Sequence, residues 1–91
     1  MHKFTIIDDL RNETIEVTTE KPLGNRIVRF IDEIRQARDV NNDQPKMFEF
    51  GGAVYDADES LYQLFENMVT MTYGLDSGIK VVKCERALNL Y

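Results

Sequence analysis

The 91-residue chain is predicted to fold as one α+β domain with five strands and two helices. Two hydrophobic periodicities predict this class. Segments in which apolar and polar residues alternate are typical of strands, and segments whose apolar residues recur every three or four positions are typical of amphipathic helices. Their order along the chain is strand, strand, helix, strand, strand, helix, strand. We expect residues 1–85 to form the domain and residues 86–91 to be a C-terminal tail.

The first two strands are predicted to form a hairpin. Phe4 and Ile6 alternate with polar residues, and Ile15 and Val17 do so in the second strand. The segment 8–12 between them is rich in residues that tolerate turn geometry.

The first helix is predicted to run from Arg26 to about Arg38. Pro22 precedes it and presets a backbone φ that suits a helix entry. At about 100° per residue, one face of this segment is apolar and the opposite face is charged. The apolar face consists of Ile27, Phe30, Ile31 and Ile34.

A second, shorter hairpin and a second helix follow. Residues 47–50 and 53–55 are predicted strands joined by a Gly51-Gly52 turn, because glycine adopts positive φ without steric cost. The second helix is predicted over residues 61–73, and the last strand over residues 79–84. Gly74 stands where a left-handed helix stop belongs.

Composition limits the classes of function. Sixteen acidic and eleven basic residues give a net charge of −5, which disfavours binding to nucleic acid or to anionic membranes and favours a protein partner. The one cysteine, Cys84, leaves no intrachain disulfide and fits a reducing compartment. The first residues lack the apolar run of a signal peptide, so we expect a cytoplasmic protein.

No catalytic or metal-binding set is recognisable in the sequence. The one histidine, His2, is remote from Cys84, and the calcium-loop spacing is absent around residues 56–60. The adjacent acids of Asp58-Glu59 fit a helix N-terminus, where negative charge is favourable. We therefore expect a protein that is not an enzyme and that needs no cofactor or metal.

The element order, together with one local motif, resembles the ubiquitin-like (β-grasp) family. Residues 48–56 read FEFGGAVYD and are followed by Ser60-Leu61. This is similar to the family's short strand, glycine turn, return strand, acidic residue and Ser-Leu helix opening. The resemblance covers about residues 1–84 and implies one mixed sheet packed on one main helix.

The resemblance also implies a function. Ubiquitin-like modifiers and sulfur carriers end in Gly-Gly, whereas residues 87–91 here read ALNLY. The implied function is therefore a non-conjugated protein-binding module that acts as an adaptor or regulatory subunit. A modifier or sulfur carrier would require a Gly-Gly end exposed by processing. By the same resemblance, the partner would contact Leu10 in the first hairpin loop, Phe48 and Val82.

Two further partner surfaces are suggested by the residues themselves. The second helix carries more apolar residues than one buried stripe needs, with Tyr62, Val69 and Tyr73 on one flank. This flank could bind a partner or form a homodimer, or it could be covered by the rest of the chain, and these alternatives stay open.

The other surface is acidic. No Lys or Arg occurs between Lys46 and Lys80, whereas six acids do, among them Asp56, Asp58 and Glu59. Charge runs are usually solvated faces, but this one could attract a basic protein surface. It supports an alternative function, a small acidic inhibitor, for example a viral one, that blocks a basic site of a host enzyme or nucleic-acid-binding protein.

Overall fold

The computed structural model describes residues 1–8, 11–39, 46–74 and 78–84. Its seven elements follow the predicted order, which confirms the α+β class. They are β1 (His2–Asp8), β2 (Glu13–Thr19), α1 (Gly24–Arg38), β3 (Met47–Phe50), β4 (Ala53–Asp56), α2 (Leu61–Tyr73) and β5 (Lys80–Cys84). The predicted tail and the loop residue Leu10 lie outside the described residues.

The strand pairing corrects the expectation of one mixed sheet. The described strands form a three-stranded sheet in the order β1-β2-β5 and a separate two-stranded sheet of β3 and β4. All three strand pairs are antiparallel. The hydrophobic alternation specifies which face of each strand is buried, but it does not specify which strand lies beside it.

Strand β2 is central because it has a neighbour on both sides. Val17 lies opposite Phe4 of β1 and opposite Val81 of β5. The inward side chains of Ile15 and Val17 are at most 1% exposed, whereas Val81 on an outer strand is 8% exposed. The flanking strands shield the middle strand from water.

Both helices contribute to one core, which corrects the expectation of one main helix. Phe30 of α1 lies at the centre of an aromatic cluster, with four ring centroids between 5.0 and 5.8 Å away. Those four rings belong to Phe48, Phe50, Tyr55 and Phe65. The cluster joins the β3–β4 hairpin to both helices, while α2 also packs on β2 and β5. Stabilisation by such ring pairs, about 0.5–1.5 kcal/mol each, is additional to the burial of their surface.

The N-terminus of α2 is capped twice. The Ser60 hydroxyl accepts a hydrogen bond from the backbone N–H of Gln63 at 3.1 Å. The carboxylate of Glu13, at the start of β2, accepts from the backbone N–H groups of Leu61 and Tyr62 at 2.8 and 3.1 Å. These bonds satisfy helix donors that have no partner within the helix. α2 ends at Gly74, as predicted, and φ is positive at 86°, but ψ of 173° places this glycine outside the left-handed helical region that was expected.

In the described part of the chain, no helix has the length and apolar character required to cross a membrane.

Candidate protein-binding site

Of the residues expected from the family resemblance, Phe48 and Val82 do not share a surface, and Leu10 lies outside the described residues. Val82 is 51% exposed and lies on the sheet face opposite to that of the core residue Val81. Phe48 is half-buried and turned inward, with its ring 5.5 Å from Tyr55 and 5.8 Å from Phe30. Phe48 is therefore part of the aromatic core, because the rings of α1 and β4 lie against it.

The apolar flank of α2 is largely accounted for by packing. Val69 is 7% exposed, and Tyr62 and Tyr73 are half-buried against the core. The ammonium group of Lys83 lies 5.5 Å from the centre of the Tyr62 ring, and the guanidinium of Arg26 lies 5.8 Å from the Tyr73 ring. These three residues do not form a broad apolar surface for a second copy of the chain.

The acidic segment is less isolated in space than in the sequence. Asp58 pairs with Arg11 at 3.3 Å and with Lys46 at 3.9 Å. Asp56 accepts a hydrogen bond from the backbone N–H of Asp58 at 2.9 Å, and the backbone carbonyl of Glu59 accepts one from Arg38. Cations therefore lie against Asp58, and the other two contacts are hydrogen bonds that hold the loop before α2.

A groove of about 360 Å³ lies between β1 and α1. Its floor is apolar, and the floor residues Ile6, Ile34 and Leu61 are each less than a tenth exposed. The half-buried Ile31 extends the apolar lining along α1. The remaining lining residues are Ile7, Asp8, Arg35, Arg38 and Asp39.

One end of the groove is held by an ion pair. The guanidinium of Arg38 donates to Asp8 at 2.5 Å, to the carbonyl of Ala57 at 2.7 Å and to the carbonyl of Glu59 at 3.1 Å. The side chains of Arg38 and Asp8 are only 18% and 10% exposed. Strand β1, helix α1 and the loop before α2 therefore meet at the Arg38 side chain. This side chain holds the end of α1 next to β1.

The edge of β1 beside the groove has no partner strand among the described residues. β1 pairs with β2 on one side, and no described strand pairs with its other side. In an antiparallel strand, alternate residues direct their N–H and C=O groups away from the partner. Alternate residues of the seven-residue β1 thus offer backbone groups that no described strand pairs with, next to an apolar groove.

Two charged residues on the rim are available for contacts. Arg35 and Asp39 are exposed, and neither side chain forms a hydrogen bond or ion pair with a residue that the structure describes. Sequence reasoning missed this site. The four-residue spacing of Ile31, Arg35 and Asp39 was a visible signal for one shared helix face, but the free edge of β1 had no signal.

The described residues bring together no group of three or more side chains that could hold a metal ion. Cys84 is half-buried and lies opposite Thr14 in the sheet. Comparisons with models of known protein families, with curated proteins and with solved structures find no match to this chain. The fold and the groove define a small α+β protein in which the described strands leave one edge of β1 unpaired.

Proposed function

We propose that this chain is a non-conjugated protein-binding module, acting as an adaptor or regulatory subunit, that binds its partner at the β1 edge and the β1–α1 groove. One observation carries the proposal: the free edge of β1 lies directly beside an apolar groove. An extended segment of another protein can continue a sheet through backbone hydrogen bonds and place alternate side chains in such a groove.

An open edge by itself invites unspecific association, and proteins usually protect it with charges or by covering it. Lys3 and Asp8 on β1 supply charge, but Asp8 is already paired with Arg38 and Lys3 with Glu16. Backbone pairing alone gives no specificity for the partner's sequence. The groove can add it, because its shape accepts some side chains and rejects others. The combination therefore favours a binding site over an accidental edge.

The ubiquitin-like relationship and the cytoplasmic location belong to this proposal as predictions. The order of the seven elements supports the relationship, whereas the antiparallel pairing of β5 with β2 differs from the mixed sheet that it implied. The presence of a single cysteine supports the location. The binding site does not depend on either prediction.

The acidic-inhibitor alternative has less support. Asp58, the most exposed acid of the 56–59 segment, is paired with Arg11 and Lys46. Binding to a basic surface would have to compete with these pairs. An inhibitor that acts through charge would lose affinity steeply as salt is raised. A segment held in an apolar groove would be much less sensitive to salt.

The test compares two matched variants on α1. Binders are selected from displayed random peptides with the wild-type protein and are then titrated against Ile31→Glu and Val28→Glu. Ile31 lines the groove, whereas Val28 is 57% exposed one turn earlier and does not line it. We expect Ile31→Glu to weaken binding by at least about tenfold, equivalent to ~1.4 kcal/mol, and Val28→Glu to have little effect.

A third variant, Val82→Glu, tests the outer face of the sheet. Loss of binding with Val82→Glu and not with Ile31→Glu would contradict the proposal and place the site on that face. If Ile31→Glu does not fold, backbone amide shifts of the wild-type protein decide instead, since binders should shift β1 and α1 but not β5.

A further inference from the structure

We infer that the segment bound in the β1–α1 groove is extended and carries an aliphatic, an acidic and a basic residue at successive alternate positions, facing Ile31, Arg35 and Asp39 respectively. This inference rests on the proposed function and specifies the chemistry of the partner. It is drawn from the direction of α1, the spacing of its side chains and the charges on the rim.

Helix α1 runs in the same general direction as β1. At one end, a Cβ placed on Gly24 would lie 3.6 Å from the ring of Phe4. At the other end, Arg38 contacts Asp8. Between these two contacts, the residue numbers rise in both elements, from 4 to 8 along β1 and from 24 to 38 along α1. A strand added to β1 would therefore run alongside α1.

The spacing of Ile31 and Arg35 on α1 and of Asp39 directly after it matches the repeat of an extended chain. Ile31, Arg35 and Asp39 are four residues apart and all line the groove. Four helical residues advance about 6 Å, at ~1.5 Å per residue. Two strand residues advance about 6.6 Å, and side chains two apart point to the same face. Alternate side chains of the added strand can therefore face these three residues in turn.

The chemistry at each position follows from what α1 presents. Ile31 continues the apolar floor of Ile34 and Leu61, so an aliphatic side chain is favoured there, and β-branched residues suit an extended chain. Arg35 favours an acidic residue, and Asp39 favours a basic one. Both rim residues are without ion-pair partners in the described part of the chain, so no existing contact must be broken.

Antiparallel addition to β1 sets the order of the three residues. Antiparallel pairs are slightly more stable per residue than parallel pairs. Because α1 and β1 run in the same direction, an antiparallel segment passes Asp39 first and Ile31 last. From its N-terminus, the segment therefore reads basic, any residue, acidic, any residue, aliphatic.

The test uses two synthetic peptides of identical composition. Each is a run of threonines that carries Lys, Glu and Val at alternate positions, and the second has Lys and Glu exchanged. Chemical-shift titration should show the first binding about fivefold to tenfold more tightly, since two exposed pairs change from attraction to repulsion. The preference should shrink as salt is raised.

A second experiment exchanges the two charges on the protein instead of those on the peptide. The double variant Arg35→Glu with Asp39→Lys should prefer the second peptide. The matched control is Arg29→Glu with Glu33→Lys, the same change at the same spacing on the same helix. Arg29 and Glu33 line a different groove, so this control should keep the wild-type preference.

Two outcomes would overturn the inference, and they differ in what they imply for the function. If both peptides bind equally and the β1 amides become protected from hydrogen exchange, the charge pattern is wrong while the groove remains the binding site. If neither peptide binds, and peptides selected by display leave β1 unprotected, the proposed site is wrong as well.

Discussion

Arg38 on α1 and Asp8 on β1 form a largely buried ion pair, with 2.5 Å between Nη1 and Oδ2. The same guanidinium donates to the carbonyls of Ala57 and Glu59. Loss of Arg38 would leave a nearly buried carboxylate and two carbonyls without their partner. The pair therefore matters for stability through the cost of breaking it, and it joins β1 to α1 at one end of the groove.

We predict that Arg38→Met lowers the free energy of unfolding by about 2–4 kcal/mol, because breaking a buried pair leaves an uncompensated charge. The matched control is Arg35→Met on the same helix. Arg35 is exposed and unpaired among the described residues, so its loss should change stability by less than ~0.5 kcal/mol. Urea unfolding of both variants measures the difference. Equal destabilisation would contradict the assigned role of Arg38.

Glu13 is predicted to stabilise α2 across the fold. Glu13→Ala should cost about 1–2 kcal/mol, since the N–H groups of Leu61 and Tyr62 lose their acceptor. Glu16→Ala is the control, because Glu16 only pairs with the exposed Lys3 and should contribute less than ~1 kcal/mol. Denaturant unfolding gives both values. A larger loss with Glu16→Ala would show that the cap is unimportant.

The two glycines of the second hairpin turn should differ in their tolerance of a side chain. Both have positive φ, 60° for Gly51 and 83° for Gly52, so alanine is strained at either position. A Cβ on Gly51 would also lie 2.5 Å from Nη2 of Arg26, whereas nothing lies within 4 Å at Gly52. Moving the end of Arg26 aside would disturb its contact with Phe50, since its guanidinium lies 5.0 Å from the centre of that ring.

We therefore expect Gly51→Ala to lower the melting temperature more than Gly52→Ala does. The comparison is repeated in an Arg26→Met background, where the shorter, uncharged side chain removes the close contact. The difference between the two glycine variants should then largely disappear. If it persists unchanged, the contact with Arg26 is not its cause.

Tyr55 should make stability depend on alkaline pH. Burial raises the pKa of Tyr55 above its usual 10.0, and this outweighs the opposite influence of Thr72 and Arg26. Thr72 lies close enough to favour the phenolate, although the buried Tyr55 hydroxyl lacks a partner with hydrogen-bond geometry in the described structure. The folded state therefore binds the phenolic proton more tightly than the unfolded state does.

With a raised pKa in the folded state, the stabilisation is complete below the unfolded pKa of 10.0 and is lost as pH rises through the folded pKa. Tyr55→Phe should lack this loss. At neutral pH it should be neutral or slightly stabilising, because it removes an unpaired buried hydroxyl. Unfolding of both proteins from neutral pH to above pH 10 tests this. A cost above ~1 kcal/mol at neutral pH would show that the hydroxyl has a partner.

Local sequence features predicted the elements well. The alternation around Ile15 and Val17, the apolar face that includes Phe30, and the stop at Gly74 are each confirmed. These features act through neighbouring residues in the chain, so they can be recognised without knowing the tertiary fold. The pairing of β5 with β2 could not be recognised in this way, because alternation is the same whichever strand is adjacent.

The candidate site depended on tertiary contacts more than the helices and strands did. The sequence leaves open whether the flank of Tyr62 and Val69 binds a partner or is covered by the chain, and in the structure Val69 is buried and Tyr62 is half-buried between other elements. Asp58 lies in a segment without basic residues, but Arg11 reaches it from a position 47 residues earlier. Periodicity reports how apolar one side of a helix is, but not how many neighbours pack around it.

The sequence alone determined which segments are strands and helices and which of their faces are apolar, because backbone preference and side-chain period are local properties. Only the tertiary structure decided that β1 is an edge strand of the described sheet and that α1 lies beside it, with Arg38 and Asp8 in contact between them. Those facts come from contacts between residues far apart in the chain. Many strand orders satisfy one hydrophobic pattern, and long-range packing selects among them.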